Sequence, residues 1–365
     1  MISKHITKKY SNRLFYICFF LIISIILFLI VGLRPIGIDN DSIAYHNAIK
    51  SLVENNFTNL NFYLFEPSFH IIAFLSYKIY SLTNISSTTR IVLIIYAFLA
   101  IIIKVFNIYK QSEYPFFSLY IYITLFLFLQ EFTQIRAALA TSIFLYSIPF
   151  LVNKSYTKYL LLIFIASFFH YSALIALPLL FIDNKKFNYT FYIIFPFLGI
   201  MLAFIPIDII DNIFKTIINF LNNPIILNKF YYSFKDSIVN DNTIVVLFNR
   251  KLYFALYFIF IAITLFLKKY KNEIDNSTIT FLKIYSLSLF LGFTFALSKN
   301  LSLRIPEFYL VITILFFPKI LDYIKNDKLK TIYIIAITVF ASVVLIFDYI
   351  YIRNIIHFNF ILKYF

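Results

Sequence analysis

The stretch FYICFFLIISIILFLIV, residues 15–31, decides the fold class, because it runs for seventeen residues without a charge. It is followed at once by GLRPIGIDNDSIAYHNAIK, residues 32–50, in which an Arg, a Pro, a Gly and two Asp stand close together. A helix needs about 20 mainly apolar residues to cross a bilayer. The first stretch therefore predicts a membrane span, and the second predicts a polar segment beyond it.

The composition predicts an integral membrane protein. Of the 365 residues, 61% are hydrophobic and only 13% are charged, and the mean hydropathy is +0.85. Such a chain has too little polar surface to cover a soluble globule of this size. We predict an all-α, polytopic helical protein, a single membrane domain over residues 1–365, with about ten or eleven membrane segments. Beyond the first span, apolar runs of span length occupy residues 91–109, 115–131, 136–152, 189–207, 251–268, 278–298, 304–321 and 331–348.

The distribution of the net charge of +15 favours membrane lipid over nucleic acid as the partner. Lys and Arg stand in short clusters between apolar runs, such as KKYKN (268–272) and KNDKLK (325–330), as in cytoplasmic loops that face anionic lipid. The basic N-terminus, with no acidic residue before Arg13, predicts a cytoplasmic start. The apolar run after it ends in GLRP rather than in a small-residue cleavage site, which predicts an uncleaved first span.

Two apolar segments do not fit a simple succession of spans. Residues 67–82, which begin with a Pro after Glu66, are short and predict a helix that lies at the outer surface or dips in and returns. Residues 158–182 fit either a pair of half-helices with FHYS near the turn, or one long tilted span. Two larger outer loops are predicted at 33–66 and 208–250, and the absence of an internal repeat weighs against a transporter.

The first outer segment carries acids that are candidates for chemistry. Asp41 or Ser42 is predicted to cap a helix, so these polar residues could simply form a soluble loop. Alternatively, Asp39 or Asp41 beside Arg34 is a carboxylate held ionised as a general base. The two Asp could also hold a hard cation with phosphate oxygens. Nearby arginines make a metal unnecessary, and we predict no metal or other cofactor. The only cysteine lies in the first span and cannot form an intramolecular disulfide.

Three isolated residues at the predicted span ends each fit a structural and a functional role. Arg136 either snorkels and pairs with Glu131, or awaits an anion with its planar fork. His170 either packs in an apolar run or marks a site. Arg304 either pairs with Glu307 at i,i+3 or is a second outward cation.

An ordered set of motifs resembles the EpsG/Wzy family of bacterial polysaccharide polymerases. The resemblance covers about residues 32–182 and 290–320 and rests on the order of the pieces rather than on any one of them. They are RPIGIDNDSIAY (34–45), EPSF (66–69), QIRAALA (134–140), IASFFHYSALI (165–175) and SLRIPEFY (302–309).

The resemblance implies an enzyme that joins oligosaccharide repeat units carried on undecaprenyl pyrophosphate, at the outer face of the bacterial cytoplasmic membrane. It implies a GT-C-like arrangement, and a chain-length regulator and a flippase as partners. Asp41 matches the family's D-x-x-x-Y and Asp39 follows the Gly as a family Asp often does, which makes both candidate catalytic acids. The expected substrate contacts are Arg34, Tyr45, Glu66, Arg136, His170 and Arg304.

Two other functions remain open at this point. The same residues would serve a ligase or single-sugar transferase that uses a lipid-linked donor. A flippase for lipid-linked oligosaccharides would use the cations for binding alone.

Overall fold

The computed structural model describes residues 2–58, 60–62, 65–79, 85–205, 207–220, 250–298 and 301–355, together with residues 231, 232, 235, 238, 246 and 247. This described part is built from helices. In chain order they are α1 (Ile2–Gly32), α2 (Asn40–Glu54), α3 (Pro67–Ile79), α4 (Ile85–Gln111), α5 (Pro115–Leu125), α6 (Ile135–Val152), α7 (Tyr156–Phe169), a first 3-10 helix (Tyr171–Phe181), α8 (Tyr189–Leu202), α9 (Ile207–Phe220), α10 (Lys251–Lys268), α11 (Asn276–Thr294), α12 (Leu301–Leu310), α13 (Thr313–Lys319), a second 3-10 helix (Ile320–Tyr323) and α14 (Asp327–Ile355).

The length and apolarity of these helices confirm a polytopic, all-α membrane protein. Six described helices, α1, α4, α6, α10, α11 and α14, are long and apolar enough to cross a membrane. A seventh span results if α12 and the helical segment after it, which bend by 47°, are counted together. The remaining predicted segments correspond to four shorter apolar helices: α5, α7, the first 3-10 helix and α8.

The predicted spans 115–131 and 189–207 are both shorter in the structure, where α5 ends at Leu125 and α8 at Leu202. The apolar run 115–131 predicts a continuous helix, but α5 ends at Leu125 and turns lead from there to the start of α6. The turns carry Gln130 and Glu131 to the ammonium group of Lys104 on α4. Irregular backbone at membrane depth is tolerated where protein buries it and satisfies its polar groups. The polar end of the run therefore leaves the helix to meet a buried cation.

Residues 156–181 form a hairpin of half-helices with FHYS at its turn. The backbone of His170 is extended (φ −155°, ψ 121°) and separates α7 from the first 3-10 helix. The Tyr159 hydroxyl donates to the carbonyl of Ala176 at 2.7 Å, whereas seventeen residues of continuous helix would span about 25 Å. Asn184 Nδ2 donates to the carbonyl of Val152 at 2.5 Å, so the segment returns to the end at which it began. The hairpin interpretation is confirmed, and the single tilted span is wrong.

The helix α3 begins at Pro67, as the sequence predicts, and exposes its apolar face. Ile71 and Leu75 are about half exposed, while Ser68 and Ser76 are buried. This is the reverse of the pattern of a soluble surface helix, whose polar side chains face outward. The exposed apolar face is suited to contact with lipid.

The second predicted loop, 208–250, lies largely outside the described residues, apart from α9 and a few isolated positions. In the rest of the chain, α4 packs against α1, α3 and α6, while α11 packs against α8 and α12. This packing brings several helix ends together. The starts of α2, α3, α6 and α12 meet the turn of the hairpin at one end of the bundle, which we call the site end.

Candidate active site

Glu66, immediately before α3, is the buried centre of the site end. Its side chain is 0% exposed, and Oε2 accepts a hydrogen bond from Nη1 of Arg136. Oε1 accepts from Nδ1 of His170 at 2.9 Å and from the backbone N–H of Tyr171 at 3.3 Å. Because a carboxylate only accepts, the ring of His170 carries a proton on Nδ1 in this contact. Three segments that are far apart in sequence therefore converge on one carboxylate.

Arg136 lies in the first turn of α6 and is held by aromatic rings as well as by Glu66. Its guanidinium carbon stands 4.7 Å from the ring centre of Phe65, 5.4 Å from Tyr45 and 6.0 Å from Phe69. Cations are attracted to such ring faces. The sequence analysis also offered Glu131 as the partner of Arg136. This prediction is wrong, because the carboxylate of Glu131 pairs with Lys104 instead (2.5 Å).

Asp39 caps α2 and is enclosed by protein. Its Oδ1 accepts from the backbone N–H of Ser42 at 2.7 Å, and its Oδ2 accepts from Nε of Arg34 at 3.3 Å. The sequence analysis predicted Asp41 or Ser42 as the cap, and this prediction is wrong. Since α2 starts at Asn40, the preceding residue, Asp39, is the one whose side chain reaches the open N–H groups of the first turn. Burial raises the pKa of the Asp39 carboxyl, while the charge of Arg34 opposes the rise.

Asp41 and Arg304 form an exposed ion pair, in contrast to the buried pair of Asp39 and Arg34. Nη2 of Arg304 lies 3.7 Å from Oδ1 of Asp41, and the two side chains are 43% and 31% exposed. The pairing of Arg304 with Glu307 suggested by sequence spacing is wrong, since Arg304 reaches across to α2 while Glu307 is buried. Both groups of the observed pair are accessible to a ligand.

A cleft of about 80 Å³ joins these groups at the site end. Of the residues predicted from the sequence, it brings together Asp41, Tyr45, Arg136, His170 and Arg304. Its lining does not include Arg34, Asp39 or Glu66, which are buried. Sequence reasoning missed the other four lining residues, which are Ala44, Phe65, Gln134 and Ala137. Two of them, Ala44 and Ala137, stand next to predicted residues within the quoted motifs.

A larger cavity of about 300 Å³ lies elsewhere, beside Gln111, Asn153 and Lys319. Lys319 is held there by three carboxylates, at 2.8 Å from Asp322, 3.1 Å from Glu113 and 3.4 Å from Asp275. None of the predicted site residues lines that cavity. We therefore take the smaller cleft as the candidate active site.

The cleft offers a cation and a hydrogen-bond donor that an entering anion can reach. Glu66 compensates Arg136, and Asp41 compensates Arg304 at its rim. Burial raises the pKa of the Tyr45 phenol, although the charge of Arg136 opposes the rise, so the phenol stays protonated and can donate a hydrogen bond. An anion that enters the cleft can therefore compete with Asp41 for Arg304 and accept a hydrogen bond from Tyr45.

A second ionic cluster, which the sequence analysis missed, lies inside the helical bundle. Nζ of Lys104 donates to Oε1 of Glu131 at 2.5 Å and to Oε1 of Gln130 at 2.7 Å, and it stands 5.3 Å from the ring centre of Tyr122. Thr141 completes the set by donating to the same Gln130 oxygen at 2.9 Å. The single Lys within the apolar run 91–109 was the available signal, because a charge at membrane depth needs a partner.

The two acids of the first outer segment turn to different cations, Asp39 to Arg34 and Asp41 to Arg304. Within the described ranges, no group of three or more His, Cys, Asp or Glu side chains is placed to hold a metal ion. The charged and titratable groups that line the cleft include two cations, a carboxylate and a histidine.

Comparison with known proteins agrees with the sequence motifs. The family model described as EpsG family matches residues 6–365, nearly the whole chain. No curated protein and no solved structure matches the chain at a significant level, so the GT-C-like arrangement stays a prediction. Because the family match extends far beyond the quoted motifs, the chain belongs to the EpsG family.

Proposed function

We propose that the protein is a polymerase that joins oligosaccharide repeat units, carried on undecaprenyl pyrophosphate, into a surface polysaccharide. The observation that carries the proposal is the convergence of Asp41, Arg136, His170 and Arg304 on one cleft. Membership of the EpsG family supports the broader class of polysaccharide polymerase. The reaction needs a base and cations beside lipid, and the cleft of this multi-pass protein offers both.

The proposed chemistry is a single displacement at the anomeric carbon of the growing glycan. Asp41 takes the proton of an acceptor hydroxyl on the incoming lipid-linked unit, and the oxygen forms the new bond to that carbon. The old bond breaks towards the pyrophosphate, whose oxygen keeps the electron pair, so the configuration inverts. Arg304 and Arg136 stabilise the charge that develops on the leaving group. We assign the base role to Asp41 rather than Asp39, because Asp41 lines the cleft and Asp39 is buried.

We further propose that the cleft faces outward from the bacterial cytoplasmic membrane. The basic N-terminus favours a cytoplasmic start for α1, and this helix ends two residues before Arg34, close to the residues of the site end. The site would then meet substrates that a flippase has delivered, and a chain-length regulator would set the product size.

The test is the polysaccharide profile of a strain that lacks the gene and is complemented with plasmid-borne variants. Wild-type protein should restore a ladder of polymer lengths, whereas R304A should leave mostly single lipid-linked repeats. We expect a loss of about 10²–10³-fold in rate, as for the removal of one donor to a developing charge. R90A, which removes an exposed Arg at the start of α4, is the matched control and should restore the ladder.

Other outcomes would point to the rival functions. An unchanged ladder in the deletion strain, with loss of a single transfer to another acceptor, would indicate a ligase. Faster transbilayer movement of substrate in vesicles without any new glycosidic bond would indicate a flippase.

A further inference from the structure

Among the described residues that line the cleft or contact its lining, the charges are balanced before any substrate enters. Arg136 is compensated by Glu66 and Arg304 by Asp41, so a neutral His170 leaves the four charged groups with no excess positive charge. A pyrophosphate diester brings two negative charges. Placing such an anion in a partly buried site is costly unless further positive charge compensates it.

His170 is the lining group that can add this charge. Its backbone leaves the helix at the hairpin turn, and its ring contacts Glu66 through Nδ1 at 2.9 Å while lining the cleft. Glu66 uses its other oxygen for Arg136, so each carboxylate oxygen faces one potential cation. A carboxylate beside a histidine favours the imidazolium form, in which both ring nitrogens donate hydrogen bonds.

We propose that His170 takes up a proton when the anionic head group binds, and that its imidazolium contributes the additional positive charge that holds the pyrophosphate. Glu66 is then a positioning residue, which fixes the ring through Nδ1 and directs Nε2–H to a phosphate oxygen. This inference rests on the proposed function in taking a pyrophosphate diester as the ligand. It goes beyond that function by assigning a charge state and a proton to the binding step.

Other titratable groups near the ring are competing sites for that proton. The charged groups that could take it in place of His170 are two carboxylates: Glu66, which contacts the ring, and Asp41 on α2, which also lines the cleft. Arg136 and Arg304 are already protonated. The phenol of Tyr171 also holds its proton at neutral pH, as tyrosine phenols do. The remaining groups on the packed elements are Tyr45, His70 and Tyr96.

The direction of the pH dependence follows from the uptake of a proton. Binding is strongest where His170 is already protonated, and it weakens as pH rises through the range in which His170 of the ligand-free protein loses its proton. In that range the dissociation constant rises by about tenfold per pH unit for one proton taken up. The dissociation constant stops changing with pH once the His170 imidazole of the complex has also lost its proton.

The experiment uses the full-length protein in nanodiscs and farnesyl methyl pyrophosphate, a diester whose two phosphates stay ionised throughout. Calorimetry from about pH 5 to pH 8 gives the dissociation constant. Titrations in two buffers of different ionisation enthalpy give the protons taken up by the wild type directly. We expect the dissociation constant to rise with pH, and an uptake that approaches about one proton per ligand.

The H170Q variant separates His170 from the other groups. Gln can still donate a hydrogen bond to Glu66 but cannot become charged, so both the slope and the proton uptake should disappear. H46Q is the matched control, because His46 lies on α2 with Nδ1 at 3.0 Å from the Thr89 hydroxyl and is not part of the cleft lining. It should keep the wild-type slope. A slope that persists in H170Q would assign the proton to another group, Glu66 or Asp41, and overturn the proposal.

The remaining outcomes separate this inference from the proposed function. A wild-type dissociation constant that does not change with pH, alongside normal polymerisation, would overturn the proton uptake alone. If turnover then fell at low pH in the wild type but not in H170Q, His170 would be a neutral base instead. No binding of the probe at any pH would contradict both the inference and the pyrophosphate site. Proton-coupled binding without polymerisation would support the inference and contradict the polymerase.

Discussion

Two of the buried carboxylate–cation clusters in the described part of the chain differ in their surroundings. At the site end, Glu66 meets Arg136 and His170, and both partners line a cleft. Inside the bundle, Glu131 meets Lys104, and both side chains are 0% exposed. The chemistry of the groups is similar. What differs is access, because a ligand can reach the first cluster, whereas protein encloses the second.

The comparison shows that a charge at membrane depth is not by itself a sign of a site. The cluster of Lys104 joins α4 to the turns before α6, and the Lys104 ammonium group donates to Gln130 and Thr141 as well as to Glu131. Those turns lead directly to Arg136. We infer that the inner cluster, around Lys104 and Glu131, serves stability. The outer cluster, around Glu66, Arg136 and His170, serves binding, so the two should respond differently to substitution.

The largest effect is expected from K104M. It would leave the carboxylate of Glu131 buried without its cation, which typically costs about 3–5 kcal/mol of stability. Thermal unfolding of the purified protein in detergent, with membrane abundance, measures the loss. The double variant K104M/E131L should recover most of it, since a buried ion pair replaced by apolar groups is often neutral.

The same double variant also tests the functional half of the comparison. It should restore the polymer ladder along with stability, if the inner cluster acts only on the fold. A stable double variant that makes no polymer would instead show that the Lys104 cluster takes part in the reaction.

A second prediction separates the two acids of the first outer segment. D41N should lower polymerisation by about 10²–10⁴-fold, the usual contribution of a general base, and change stability by at most about 1 kcal/mol because its ion pair is exposed. D39N keeps a good helix cap but leaves Arg34 buried without its counter-charge. It should therefore cost stability, by up to about 3 kcal/mol, with normal activity per folded molecule. If D39N lost activity and D41N lost only stability, Asp39 would be the general base and Asp41 the structural acid.

Much of the fold was predictable from the sequence, because hydrophobic length is a strong signal in membrane proteins. The predicted span 136–152 matches α6 to within a residue, and Pro67 starts α3 as predicted. The hairpin at FHYS was one of two interpretations. The sequence could not choose between them, because an apolar run of that length fits both.

The individual contacts of the site were less predictable than its membership. The motifs named five of the residues that line the cleft. However, sequence spacing suggested near neighbours as ion-pair partners, whereas Arg136 found Glu66 and Arg304 found Asp41 on other elements. Such pairs depend on helix packing, which local spacing does not encode. The same limit hid Lys104, whose partners lie more than twenty positions away.

The smallest effect is expected from T141V, which removes one hydroxyl from the inner cluster. That hydroxyl donates to Gln130 and stands 3.4 Å from Nζ of Lys104, so its loss should cost about 1 kcal/mol of stability. T264V on α10 is the matched control, because the Thr264 hydroxyl is buried with no hydrogen-bond partner among the described residues and its removal should be neutral or stabilising. Thr141 stands one turn and a half after Arg136 on α6, so the polymer ladder of T141V reports whether strain in the inner cluster reaches the cleft. An unchanged ladder would keep the two clusters independent. A shortened ladder at normal protein abundance would show that Lys104 and its partners help to set the position of Arg136.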